Sequence, residues 1–228
     1  MGGGSAKASV FRVWRYDPER DREREPGVRE YRVAARKGLT VLDALIYIKS
    51  SLDPTLAIRY SCGMATCGSC GMVINGVPRL ACETQVLELG DTIEVKPMYN
   101  YGVIKDLVSD LDPLFEKHSG VKPYVIRGDE ELAKPTREYL QTPGEAEQYI
   151  QFSYCIKCGL CLAACPTVDT DRLFLGPHAL ASAYRYIADT RDDGLAERLN
   201  ILDGLHGVWR CHFAGACSHV CPKGVDPA

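Results

Sequence analysis

Cys155-Ile156-Lys157-Cys158-Gly159-Leu160-Cys161-Leu162-Ala163-Ala164-Cys165-Pro166 is the stretch on which the reading of this chain turns. Three cysteines follow one another at intervals of three, a fourth comes four positions later, and a proline ends the run. The chain closes on a second copy, Cys211, Ala214, Cys217 and Cys221-Pro222, in which alanine stands where the second cysteine is expected. A loop of this spacing supplies three thiolates to one cuboidal iron–sulfur cluster, and the proline turns the chain away after the fourth cysteine.

In bacterial ferredoxins with two such runs, the fourth cysteine of each run binds the cluster of the other. Applied here, that crossing gives Cys155, Cys158, Cys161 and Cys221 to one cluster, a full set for [4Fe–4S]. Cys165, Cys211 and Cys217 go to the other, and because Ala214 cannot bind iron the expectation is [3Fe–4S]. A [4Fe–4S] cluster with water at the open corner is the alternative.

Bulk properties exclude several classes. The chain is 46% hydrophobic and 25% charged, an ordinary globular balance. Its net charge of -3 argues against a nucleic-acid footprint. No apolar run is long enough for a membrane-spanning helix. The start, Met-Gly-Gly-Gly-Ser-Ala-Lys, lacks the apolar core of a secretory signal and reads as a tail. The eleven cysteines are an odd count without a signal peptide, which fits a disulfide framework badly. Zinc ribbons pair C-x2-C units, and neither cysteine group is built that way. Iron–sulfur chemistry points to a reducing compartment.

Further toward the N-terminus stands Arg59-Tyr60-Ser61-Cys62-Gly63-Met64-Ala65-Thr66-Cys67-Gly68-Ser69-Cys70-Gly71, followed by Cys82. This is the plant-type [2Fe–2S] signature, with Cys62, Cys67, Cys70 and Cys82 as ligands. Gly63, Gly68 and Gly71 free the backbone to fold over the cluster and aim amides at its sulfurs. Asn75-Gly76 marks a hairpin turn that folds Met72–Ile74 onto Val77–Leu80 and carries Cys82 back to the loop. Alternation predicts strands around Phe11–Val13 and Tyr31–Val33, joined by a solvated charged loop over 15–27, with a partner-docking patch as the minority reading. Thr40 is the expected N-cap of a helix with Leu42, Leu45 and Ile46 on one face, ending near Asp53-Pro54. Thr92–Lys96 is the last strand of this region.

Val103, Leu107, Leu111 and Leu114 recur at helical spacing and predict a helix to Phe115. The proline-bearing stretch 119–145 reads as a linker. Pro177 should begin a helix whose stripe is Leu180, Ala183, Tyr184 and Ile187, with a second helix over Ala196–Leu202. The fold class is therefore α+β: a β-grasp plant-type [2Fe–2S] ferredoxin domain over 1–108, then an all-α, bacterial-ferredoxin-like domain over 109–228 holding [4Fe–4S] and [3Fe–4S].

Taken together, these residues resemble the iron–sulfur subunit of succinate dehydrogenase and fumarate reductase, the succinate:quinone oxidoreductases of respiratory complex II. The resemblance rests on Cys62-x4-Cys67-x2-Cys70-x11-Cys82, both later runs, the lost ligand at Ala214 and the ending Cys221-Pro222-Lys223-Gly224-Val225-Asp226-Pro227. Gly159–Pro166 and Phe174-Leu175-Gly176-Pro177 look more like the fumarate-reductase branch. The resemblance implies a flavoprotein partner with FAD, membrane anchor subunits with or without haem b, and a quinone. Electrons would run between FAD and quinone through [2Fe–2S], [4Fe–4S] and [3Fe–4S] in turn. It implies no acid–base residue in this chain, and a peripheral place on the cytoplasmic face of a prokaryotic membrane, with the mitochondrial matrix side as the second reading.

Quinone-facing positions in the family map here to Pro166, Thr167, Thr170, His212 and Phe213. Ubiquinone-using relatives carry a tryptophan pair where this chain has Asp169 and Thr170, which implies a menaquinone-like acceptor. His212 is either a quinone hydrogen-bond partner or a histidine packed against an anchor. Two other classes stand beside this one: a free ferredoxin-like carrier, and the iron–sulfur subunit of another oxidoreductase such as a glycolate oxidase or a heterodisulfide-reductase-like complex. The latter usually carry complete paired motifs, so Ala214 discriminates.

Overall fold

The computed structural model describes residues 8–20 and 26–228. The expected N-terminal tail and part of the charged loop over 15–27 lie outside the described residues. The chain divides into two compact units, Met1–Asp110 and Leu111–Ala228.

The first unit is built on strands β1 (Ala8–Arg15), β2 (Gly27–Ala34), β3 (Gly71–Ile74), β4 (Val77–Leu80) and β5 (Thr92–Lys96) in the order β2-β1-β5-β3-β4. β1 runs parallel to β5 and antiparallel to β2, while β3 lies antiparallel to both β4 and β5. Alternation sends Phe11 and Val13 of β1 and Ile93 and Val95 of β5 fully into the core. Helix α1 (Val41–Tyr47) starts as expected at Thr40, whose side chain accepts from Asp43 N–H while the Asp43 carboxylate accepts from Thr40 N–H. Such a capping box satisfies two otherwise orphaned donors. A π-helical turn, Ile48–Leu52, carries the chain to Asp53. Asn75 and Gly76 both have positive φ, the geometry of a type I′ turn, and so set the β3–β4 register.

The helix expected over Val103–Phe115 is absent; the apolar spacing there is shared between two kinds of element. β6 (Val103–Lys105) pairs antiparallel with β7 (Val108–Ser109), and helix α2 (Asp112–Gly120) begins only afterwards, with Pro113 in its first turn. Asp106 forces the break. It sits at φ 47° in the turn, and its buried carboxylate accepts from Arg15 Nε at 2.9 Å, Tyr16 N–H at 2.9 Å and Ala57 N–H at 2.8 Å. Three long-range hydrogen bonds to a carboxylate outweigh a local helical preference.

The second unit is helical. After α2 come α3 (Pro143–Glu147), α4 (Ile150–Ser153), α5 (Leu160–Ala163), α6 (Pro166–Thr170), α7 (Pro177–Ile187), α8 (Leu195–Leu202) and α9 (Ala216–His219). The stretch 119–145 is mostly irregular, yet it is tied down. Fully buried Arg198 on α8 bonds Asp192 at 2.6 Å and donates to the carbonyls of Lys122 and Tyr124. The stripe expected on α7 is rotated. Its buried face is His178, Ala179, Ala181 and Ala183, while Leu180 is half-buried and Tyr184 is exposed and meets Phe152 edge-on. The small residues let α7 pack closely, and Gly176 before it sits at φ 85°, a conformation side-chain-bearing residues rarely adopt, with the Leu162 side chain 2.3 Å from where a Cβ would stand.

Candidate iron–sulfur sites

The loop between Cys62 and Cys70 is a cradle of backbone amides. Gly63 and Gly68 adopt positive φ, and so does Ala65, whereas Gly71 is ordinary strand. The result aims N–H groups at sulfur. Met64, Thr66 and Cys67 donate to Cys62 Sγ at 3.3 to 3.4 Å, Cys62 and Ser69 donate to Cys67 Sγ, and Ala65 donates to Cys82 Sγ at 3.2 Å. Cys70 and Cys82 are buried and interact directly, while Cys67 is exposed. Hydrogen bonds from Ser69 and the Cys62 amide pull the Cys67 thiol down to about 6, and burial pushes Cys70 up to about 12. Ser69 was not singled out in the sequence; its place between two ligand candidates is the only local clue.

The two cysteine runs of the second unit repeat in conformation as well as in sequence. Lys157 and Gly159 have positive φ in the first, Phe213 and Gly215 in the second. Gly159 starts α5 in left-handed geometry and Gly215 starts α9 in the same way. Ala164 N–H bonds back to Leu160 O, as Val220 N–H does to Ala216 O. Ala214 therefore occupies, in backbone terms, the position of Cys158.

Two cavities lie between these loops. One is lined by Cys155, Cys158, Cys161 and Cys221; the other by Cys165, Cys211, Cys217 and Ala214. Their atom-free volumes are similar, about 420 and 400 Å3, so the lining and not the size distinguishes them. The first turn of α7 is a wedge between the two: His178 and Ala181 face the first cavity, Pro177 and Leu180 the second. Burial raises Cys158 to about 12 and Cys161 well above the ordinary thiol range, with neighbouring thiols adding to both. Close-set thiols that resist ionisation together suit a ligand that carries positive charge. Four sulfurs in one cavity, three in the other and four in the N-terminal loop form a donor set that fits iron–sulfur clusters.

Of the quinone-facing candidates, Pro166, Thr167, His212 and Phe213 line the second cavity. Thr170 is not among its lining; it is exposed and its hydroxyl turns back to the carbonyls of Pro166 and Thr167. Phe213 is 75% exposed, and Leu173, Leu205 and Trp209 are exposed to a similar degree. Those last three escaped the sequence reading, because nothing in their spacing marks them. They sit on two segments stitched together by Leu175 N–H to His206 O and by Asp171 to His206 and Arg210.

A plant-type cysteine loop on a mixed sheet, followed by a helical unit with a doubled cysteine loop, defines a two-unit iron–sulfur electron carrier. Comparison with known proteins narrows the class. The model of a 2Fe-2S iron-sulfur cluster binding domain matches residues 10–116, and that of a 4Fe-4S dicluster domain matches residues 151–225. The fumarate reductase iron-sulfur subunit of Haemophilus influenzae is 46% identical over 95% of this chain and 87% of its own length. Its counterpart in Mycobacterium tuberculosis is 47% identical over 96% of this chain and 88% of its own. The succinate dehydrogenase iron-sulfur subunit of Paracoccus denitrificans is 39% identical over 99% of this chain and 86% of its own. A chain of the Mycobacterium smegmatis Sdh1 complex superposes with a TM-score of 0.84 at 26% identity, covering 98% of this chain and 91% of that one. The chain belongs to the family of fumarate reductase and succinate dehydrogenase iron–sulfur subunits.

Proposed function

We propose that the chain conducts electrons between the FAD of a flavoprotein subunit and a quinone held at a membrane anchor. Cys62, Cys67, Cys70 and Cys82 would hold [2Fe–2S]; Cys155, Cys158, Cys161 and Cys221 would hold [4Fe–4S]; Cys165, Cys211 and Cys217 would hold [3Fe–4S]. The clusters supply one-electron redox chemistry when bound. The chain's own residues do the rest. Thiolates bind iron, and the amides of 62–69 stabilise negative charge on sulfur. No residue of this chain is assigned acid–base work on succinate or fumarate.

The quinone reading draws on Pro166, Thr167, His212 and Phe213 around the second cavity, with a menaquinone-like acceptor favoured by Asp169 and Thr170. The Thr170 hydroxyl donates to the carbonyl of Thr167. Exposed Leu173, Leu205, Trp209 and Phe213 offer an apolar face for an anchor. No helix among the described residues is long and apolar enough to cross a membrane. Likeness to complex II iron–sulfur subunits supports a peripheral place, which we assign to the cytoplasmic face of a prokaryotic membrane.

The observation that carries the reading is Ala214, standing at the conformational position of Cys158 in the wall of a cavity with three cysteines. Electron paramagnetic resonance on the cluster-loaded protein tests it. We expect a near-isotropic three-iron signal in the oxidised sample that vanishes on dithionite reduction, joined then by a rhombic [2Fe–2S] signal. Ala214→Cys should abolish the three-iron signal and add a second [4Fe–4S] signal on reduction. An oxidised wild type that is silent, with two interacting [4Fe–4S] signals after reduction, would overturn the assignment.

A further inference from the structure

A lysine side chain braces the wall of the second cavity from behind. Lys117, in the last turn of α2, reaches across to the segment that follows α6. Its Nζ donates to Arg172 O at 2.7 Å and to Phe174 O, and Phe174 itself lines the cavity beside Cys165. Lys117 is half-buried, so solvent screens it only partly; that burial lowers its pKa from the ordinary lysine value, Arg172 adds to the lowering, and Asp171 and then Cys165 oppose it. The other charges facing it are Asp171 and Arg172. Asp171 is paired with the Arg210 guanidinium at 2.9 Å and hydrogen-bonded to His206 at 2.9 Å. Arg172 lies 3.9 Å from Asp169, and Lys117 is the cation bonded to the lining residue Phe174. Neither the cysteine spacing nor the family's ligand pattern assigns it a role.

We propose that Lys117 is a positioning residue for electron transfer, a fixed cation that raises the reduction potential of the cluster bound by Cys165, Cys211 and Cys217. This rests on the reading that those cysteines hold [3Fe–4S]. Reduction adds one electron to the cluster and no proton to Lys117, so the effect is electrostatic: a nearby cation stabilises the more negative, reduced form. A unit charge within about 12 Å of the redox centre, at an effective dielectric constant of about 20, shifts the oxidised-to-reduced ratio about tenfold. For a one-electron couple that is about 59 mV.

The test is a redox titration of the purified, cluster-loaded complex, followed by the three-iron and [2Fe–2S] signals in the same samples. In Lys117→Gln the three-iron midpoint should fall by about 59 mV, tenfold in the ratio, while [2Fe–2S] stays at its wild-type value. Lys117→Arg should restore the midpoint. Lys117→Met is the second neutral variant should the amide fold poorly. An unchanged midpoint in the neutral variants overturns the proposal. So does an equal shift in Gln and Arg, which would mark hydrogen bonding to the 172–174 carbonyls, not charge, as the cause. Loss of the cluster from both neutral variants would make Lys117 a structural residue and overturn it likewise. A wild type without the three-iron signal instead sinks the underlying cluster assignment, and that outcome is visible before any variant is made.

Discussion

Cys67 shows how far one side chain can depart from its neighbours in the same loop. It is exposed and accepts from Ser69 and the Cys62 amide, which stabilise its thiolate; Cys70, three positions on, is buried and kept protonated. A thiolate is the form that alkylates and that binds iron. In the cluster-free chain at pH 7, iodoacetamide should therefore label Cys67 well before Cys70, as read by peptide mass mapping over time. Ser69→Ala should slow Cys67 several-fold. The identity of the cysteines was legible in the sequence because ligand spacing is a local property. Their ordering in acidity was not, because it depends on burial and on amides placed by Ala65, a residue with nothing glycine-like to announce its positive φ.

At the scale of elements, α8 and the 119–127 stretch form one device. Arg198 and Asp192 are both fully buried, and the guanidinium also fills the carbonyls of Lys122 and Tyr124. Arg198→Met would strip the buried Asp192 carboxylate of its counter-charge, leaving it the Ile126 and Gly194 amides, and would take a donor from the carbonyls of Lys122 and Tyr124. Breaking such a pair destabilises by about 3–5 kcal/mol, which calorimetry should show as a lower transition for the C-terminal unit. Asp189 is a second clamp, after the end of α7. Burial alone would raise its pKa, but bonds from Arg191 and Arg185 win and hold it at about 2. A depressed carboxylate stabilises above its unfolded value of 3.8 and is lost as pH falls toward about 2. The helical unit should thus weaken between about pH 4 and 2, and Asp189→Asn should flatten that dependence in acid-unfolding curves followed by circular dichroism. The misreadings also belong to this scale. The Val103–Leu114 spacing mimicked a helix until Asp106 drew three distant donors to itself, and the α7 stripe was rotated because both cavities compete for its first turn.

For the molecule as a whole, the two units differ in what holds them. The N-terminal unit has a continuous apolar core under its five-stranded sheet, including Phe11, Val13, Leu45, Ile74, Ile93 and Val95. The C-terminal unit folds short helices, α5 and α9 of four residues each, around two thiol-lined cavities. Helices of that length are not stable alone, and binding of metal is folding free energy for such a site. Removing the clusters with ferricyanide and a chelator should strip helical circular dichroism and make 150–228 protease-sensitive, while the sheet signal largely persists. Equal loss of both units would refute this division.

The amino-acid sequence alone determined the cysteine loops, the Thr40 cap, the Asn75-Gly76 turn and the alanine at position 214 in the repeat of Cys158, because each is a matter of neighbours a few residues apart. Only the tertiary structure decided that β1 lies parallel to β5, that Asp106 gathers donors from Arg15, Tyr16 and Ala57, and that Lys117 bonds the carbonyl of Phe174. Those contacts join positions distant in sequence, and their free energy comes from packing and burial that no local pattern encodes.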